Sequence, residues 1–194
     1  MNDVTGVILA GGRGARMGGV DKGWVMVNGK PLIVSVVERF APQVGQLLIS
    51  ANRHVERYAA LGIVVEDDAA DANGERFAGP LIGVLGGLRR ARTGWVAIVP
   101  CDAPNLPGDL VQRLARAALD TGAIAACARV GDQLQPMFAV VKTSTADQLA
   151  SAISTGERAM HRWLESLNAA AVTFDDAQAF VNVNTMPDTD QHVA

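Results

Sequence analysis

Apolar positions along this chain recur in two rhythms. Short runs rich in β-branched residues, bounded by turn formers, occupy residues 6–10, 46–51, 62–66, 95–100, 123–128 and 137–141, and each reads as a buried strand. Between and after them, apolar residues fall at helical spacing over 32–40, 54–61, 81–91, 110–119, 145–153 and 158–167. Pro107 suits the first turn of the fourth helix, with Asn105 as its cap. A last pair of strands is expected near 171–174 and 180–183. Strand and helix in alternation predict an α/β chain with an open, mostly parallel sheet and helices on both faces. Ligands on such sheets bind beyond the carboxyl ends of the strands. The residues that follow each strand therefore matter most.

Composition narrows the field. The 194 residues are 49% hydrophobic and 19% charged, which excludes intrinsic disorder. Seventeen basic and twenty acidic side chains give a net charge of −3, which argues against nucleic-acid coating but leaves room for a small phosphorylated ligand. Cys101 and Cys127 lie in apolar surroundings without metal-ligand spacing, so reduced thiols are expected. No signal peptide and no apolar run long enough to span a membrane is evident, and the expectation is a soluble cytoplasmic protein. Without repeats or linkers, residues 1–194 read as one domain.

The first strand empties into a loop with glycine at 11, 12, 14, 18, 19 and 23. Glycine admits positive φ and lets ligand atoms approach backbone amides, and successive N–H groups make an anion-binding nest. Arg13, Arg16 and Lys22 add positive charge, so polyphosphate is the natural guest. Two well-known phosphate loops do not fit. The dinucleotide fingerprint started at Gly12 requires glycine where Met17 stands, and the P-loop requires Ser or Thr where Gly23 follows Lys22.

The string Leu9-Ala10-Gly11-Gly12, then Arg16-Met17-Gly18, then Asp21-Lys22 resembles the signature of nucleotidyltransferases that activate a cofactor or sugar with a nucleoside triphosphate. Within that superfamily it most resembles the molybdenum cofactor guanylyltransferases. The resemblance implies a single-domain, Rossmann-like, three-layer α/β/α nucleotidyltransferase fold. It also implies transfer of GMP from GTP to molybdenum-molybdopterin with Mg²⁺, the N-terminal part binding GTP and the C-terminal part the pterin. Leu9, Ala10, Gly11, Gly12 and Lys22 then hold the nucleotide, and Lys22, Arg16 and Asp102 form the catalytic set.

The other strand ends supply further candidates. Asp102, after Pro100-Cys101, sits where a metal on the substrate's phosphates would lie, although Asp before Ala-Pro is equally a turn starter. The resemblance favours a magnesium ligand. Gly79-Pro80-Leu81 reads on its residues as a helix start, and the resemblance implies a guanine-reading loop. By position the family's nucleoside contacts fall on Ser50, where many relatives carry asparagine, and on Asp67, with Asp68 as the competing inward carboxylate. Asn182 and Asn184 share one face of an extended segment and by resemblance face the pterin and the metal site. Arg158, in Gly156-Glu157-Arg158, is either a ligand for the molybdopterin phosphate or an exposed helix charge. Gln135-Pro136 marks a substrate loop or a plain turn.

The expected reaction is in-line attack by the molybdopterin phosphate on the α-phosphorus of GTP, with pyrophosphate leaving. It demands positioning and charge neutralisation rather than a protein nucleophile. Alternatives are a cytidylyltransferase or sugar-phosphate nucleotidyltransferase of the same fold, or a non-catalytic nucleotide-binding protein that delivers cofactor to partner proteins. Partners in the main reading are GTP, molybdenum-molybdopterin and cofactor-delivery proteins, with no nucleic acid and no membrane.

Overall fold

The computed structural model describes residues 3–11, 21–67 and 79–183. Its main sheet has seven strands among the described residues, in the order β5 (Ile63–Val65), β4 (Gln46–Ser50), β1 (Val4–Leu9), β6 (Trp95–Pro100), β8 (Gln133–Lys142), β7 (Ala125–Val130) and β9 (Ala170–Thr173). Strands β5, β4, β1 and β6 are mutually parallel, and β8 alone runs against its neighbours β6 and β7. A small antiparallel hairpin, β2 (Met26–Val27) with β3 (Lys30–Pro31), precedes α1 (Leu32–Phe40). The remaining helices are α2 (Val55–Ala59), α3 (Pro80–Arg90), α4 (Leu110–Thr121), α5 (Ala146–Ser154) and α6 (Met160–Ser166).

Side chains alternate across the sheet and build two apolar layers. Val4 and Ile8 of β1 pack with Ile33, Val36 and Phe40 of α1 and with Leu110 and Leu114 of α4. Val7, between them, faces Leu81, Leu85 and Leu88 of α3, in a layer completed by Leu149, Trp163 and Leu164 of α5 and α6. The result is the expected three-layer arrangement.

Glycines set how closely α3 approaches. A Cβ on Gly87 would run into Val7, one on Gly83 into the Ser50 hydroxyl, and one on Gly86 would lie 2.9 Å from Val65 Cγ1. Each glycine costs about 1 kcal/mol of helix propensity against alanine. That cost is offset by bringing the first turn of α3 down onto the ends of β1 and β4.

Three expectations are corrected. Residues 180–183 form no strand: Asp176 accepts a hydrogen bond from Gln178 N at 2.9 Å and starts a 3-10 turn over Ala177–Phe180. Phe180 is buried by edge-on packing against Phe138 and Phe174, at 4.9 and 5.1 Å between ring centroids. Gln135-Pro136 is no loop but part of β8. Cys127 pairs with Ala139 and Ala128 with Gln135, so Pro136, Met137 and Phe138 form a bulge, which tolerates a residue without an N–H. The fourth helix starts at Leu110 rather than around Pro107, and its cap is tertiary. Gln43 Oε1 accepts from Val111 N at 3.0 Å, while Gln43 Nε2 donates to the carbonyls of Arg39 and Pro107.

Candidate nucleotide site

The carboxyl ends of the parallel strands meet in register. Ala10 N donates to Ser50 O, Cys101 N to Leu9 O, and Ala51 N to Val65 O, at 2.8 to 3.2 Å. This ties the segments after β1, β4, β5 and β6 into one edge. Leu9, Ala10 and Gly11 lead out from its centre.

Asp102 emerges two residues beyond β6 with its carboxylate almost fully buried. Lys22 Nζ donates to its Oδ2 at 3.2 Å, from a side chain about one-third exposed. Eighty positions separate the two in sequence; Asp102 follows β6, and Lys22 reaches it from a turn just before the β2–β3 hairpin. The pair holds an ammonium suited to phosphate beside a carboxylate suited to a hard cation. The described residues contain no cluster of three or more metal-ligating side chains. Magnesium commonly uses one or two protein carboxylates and takes its other ligands from water and substrate phosphates, so Asp102 fits it.

Lys22 rides on a short 3-10 turn, Lys22–Trp24. Asp21, itself buried, opens that turn by accepting from Gly23 N at 3.2 Å and from the Tyr58 hydroxyl at 2.6 Å. Burial, and then the hydrogen bond to Asp21, push the Tyr58 phenol well above its ordinary value, so it remains a donor. Trp24 packs on the Tyr58 ring at 5.2 Å and carries the Arg57 guanidinium 3.9 Å above its own ring.

A second cluster lies at the ends of β4 and β5. Asn52 Nδ2 donates to Asp67 Oδ2 at 2.6 Å, and Asp67 N donates to Asn52 Oδ1 at 2.9 Å. Burial raises the Asp67 carboxyl above its usual range, partly opposed by the Asn52 N–H. Gly11 lies against the pair: a Cβ there would sit 3.2 Å from Asn52 Nδ2 and 3.7 Å from Ser50 Oγ. Ser50 comes to the same place but is only 2% exposed, wedged beneath Gly11 and Gly83. The carboxamide with reach at this strand end is Asn52.

Gly79 precedes α3 with φ +103 and ψ 178, a conformation that favours glycine, and Pro80 occupies the first turn. Leu81 is fully buried, so its side chain belongs to the core. This segment offers a ligand the unpaired N–H groups of a helix start rather than side chains. The Arg158 carbonyl lies 3.5 Å from where a Gly79 Cβ would stand, so the turn between α5 and α6 adjoins the same edge.

Arg158 has a structural partner set there. Its Nη1 donates to the carbonyls of Ile153 and Glu157, both at 2.8 Å, capping α5. Glu157 is gripped by Arg162 and accepts from the backbone N–H groups of Arg158 and Ala159, which together hold its carboxyl down at about 2. Asn182 is exposed beside Val183, whose N–H donates to Asp102 O at 2.9 Å and pins this segment to the loop after β6. Gly12, Arg16, Asp68 and Asn184 lie outside the described residues. Burial pushes the Cys101 thiol far up and Cys127 up to about 12, which leaves both unreactive.

Asn52 and Tyr58 escaped the sequence reading. Asn52 carried a signal, a polar carboxamide two residues past a strand end, whereas nothing about Tyr58 on a short helix pointed at Asp21. No helix among the described residues is long and apolar enough to cross a membrane.

Comparison with known proteins agrees with this fold. Residues 6–172 match the MobA-like NTP transferase domain. The protein named molybdenum cofactor guanylyltransferase from Cupriavidus pinatubonensis is 44% identical over 199 residues, covering 100% of this chain and 98% of that protein. Its namesake from Burkholderia orbicola is 46% identical, covering 94% and 91%. Among solved structures, molybdopterin-guanine dinucleotide biosynthesis protein A from Archaeoglobus fulgidus superimposes with a TM-score of 0.75 at 26% identity, covering 93% of this chain and 92% of that one. With relatives this similar along nearly their whole length, and with the domain match spanning residues 6–172, this chain belongs to the molybdenum cofactor guanylyltransferase family.

Proposed function

We propose that the protein transfers GMP from GTP to molybdenum-molybdopterin, forming the molybdopterin guanine dinucleotide and releasing pyrophosphate. The observation that carries this reading is the Lys22–Asp102 pair on the carboxyl edge of the sheet, in a chain of this family. Lys22 and the amides around Gly11 bind the triphosphate. Asp67, braced by Asn52, accepts from nucleoside donors, and the backbone at Gly79–Leu81 reads the base edge. Hydrogen-bonded base reading of this kind leaves a wrong base with buried unpaired groups, which is how such sites discriminate.

Asp102 would hold Mg²⁺, which when bound neutralises phosphate charge on the transferred and leaving groups. The acceptor is a phosphate, already an anion at neutral pH, so the chain's residues need to orient rather than deprotonate it. Arg158 and Asn182, on the same edge, contact the pterin side, and Arg16, Gly12 and Asn184 complete the two ligand sites. In this reading residues 1–194 work as one cytoplasmic unit, the N-terminal part serving GTP and the C-terminal part the pterin.

Calorimetric titration with GTP and then CTP, each with Mg²⁺, tests the assignment. Preference for GTP is expected. Equal or tighter CTP binding would overturn the guanine reading and favour a cytidylyl transfer.

A further inference from the structure

Asp21 belongs to the loop motif, yet among the described residues its carboxylate bonds inward, to the turn and to α2. Its carboxylate is buried, and its Oδ1 collects two bonds, from Gly23 N inside the turn and from the Tyr58 hydroxyl outside it. Tyr58 is wholly buried and comes from α2, the helix that follows β4. The turn is pressed onto the tyrosine: a Cβ on Gly23 would collide with the hydroxyl and lie 3.3 Å from the ring. Asp21 O accepts from Trp24 N, and Lys22 O from Val25 N, both at 3.1 Å, so the backbone of residues 21–25 is held at both ends. Lys22, one residue beyond Asp21, is left with only its side-chain torsions to choose, and its ammonium stands 3.2 Å from Asp102.

We infer that Tyr58, acting through Asp21, is the positioning residue for Lys22: a buried phenol from α2 fixes the turn that aims the lysine at the triphosphate. The inference rests on the reading of Lys22 as a phosphate ligand. A hydrogen bond between neutral packing groups would serve stability alone. This one ends on a buried carboxylate whose own turn carries the ammonium, so its loss is felt at the ligand. Among the described residues, removing the hydroxyl leaves the buried Asp21 carboxylate with the Gly23 amide, and a buried carboxylate short of donors moves toward water and carries the turn with it. Prior fixing of the lysine also spares the loop an ordering cost when nucleotide arrives.

The test is the preference of the full chain for GTP over guanosine, from calorimetry for GTP and competition at millimolar concentration for guanosine. In Tyr58→Phe the ring keeps its packing against Trp24, and the preference should fall by about tenfold or more, the loss expected for one hydrogen bond to a charged group. Guanosine affinity should be unchanged, because only the phosphate grip is touched. A purely structural role for Tyr58 would lower the melting temperature, or weaken both ligands alike, without changing their ratio. Asp21→Ala should reproduce the loss, so the inference does not depend on one variant. Lys22→Ala is the control on the underlying reading. If Lys22→Ala reduces the preference while Tyr58→Phe and Asp21→Ala leave it intact, the positioning role is overturned and the lysine assignment stands. If Lys22→Ala leaves it intact, the phosphate reading fails and the inference with it.

Discussion

Asn52→Leu removes both bonds between Asn52 and Asp67 while keeping a side chain branched at Cγ with the same number of heavy atoms. The bond to the Asp67 carboxylate is short at 2.6 Å and charge-assisted, worth about 1.5–3 kcal/mol when its partner is left behind. The bond from Asp67 N adds about 0.5–1.5 kcal/mol. Asp67 is only partly buried, and water screens the charged part, so the combined loss should be about 2–3 kcal/mol near neutral pH. With a urea slope of about 2 kcal/mol/M, the unfolding midpoint should fall by roughly 1 M. The loss has a pH signature. Burial already raises the Asp67 carboxyl, and Asn52 is the group that lowers it, so the variant raises it further. A carboxyl raised in the folded state disfavours folding when ionised, and that penalty vanishes once the pH falls below its unfolded value. The deficit of the variant should therefore shrink between about pH 7 and about pH 4. A remainder belonging to the unpaired Asp67 N–H should persist. Paired urea titrations of both proteins at the two pH values measure this, and an equal deficit at both would refute the claim that Asn52 steadies an ionised Asp67.

Asp102→Ala should abolish divalent-metal-dependent turnover while leaving the melting temperature within a few degrees; undiminished turnover removes Asp102 from the metal site. Gly83→Ala puts a methyl into Ser50 and within 3.0 Å of Leu9 Cδ2, so α3 must shift, at about 1–3 kcal/mol by chemical denaturation. Ser50→Gly in the same chain should return part of that, and strict additivity of the two changes would argue against the contact. Glu157 is held down at about 2 from a usual 4.5 by Arg162 and two backbone amides, so its contribution to stability is present above about 4.5 and lost as pH falls toward 2. Glu157→Gln should flatten that limb of the melting temperature against pH, and an unchanged slope would show the Arg162 pairing to be inconsequential.

How much was legible in advance depends on whether a feature is local. Six of the seven described strands of the main sheet, and most of the helices, announce themselves because burial on a pleated sheet or one helix face imposes a period of two or of 3.6. Residues 180–183 carry the same apolar run as a strand, but Asp176 closes a turn and Phe180 finds two aromatic rings, so the run is buried without pairing. The α4 start looked local, at Pro107, and is capped instead by Gln43, 68 positions before Val111. The β2–β3 hairpin has two residues per strand, too short for any period to show.

By itself the sequence determined the class of fold and a glycine-rich loop after the first strand, and it offered Lys22 by motif and Asp102 by family resemblance as candidates, because motif spacing and hydrophobic period are properties of neighbouring residues. The tertiary structure decided which strand ends lie side by side. Strands β4 and β5 intervene in the chain between β1 and β6, yet β1 pairs with both β4 and β6 and so sits at the centre of the parallel set. Within that order Lys22 meets Asp102, Asn52 meets Asp67, and Tyr58 lies beneath Asp21. Each of these is a hydrogen bond between segments 15 to 80 residues apart. Such bonds depend on the packing of the layers, which no local pattern in the chain encodes.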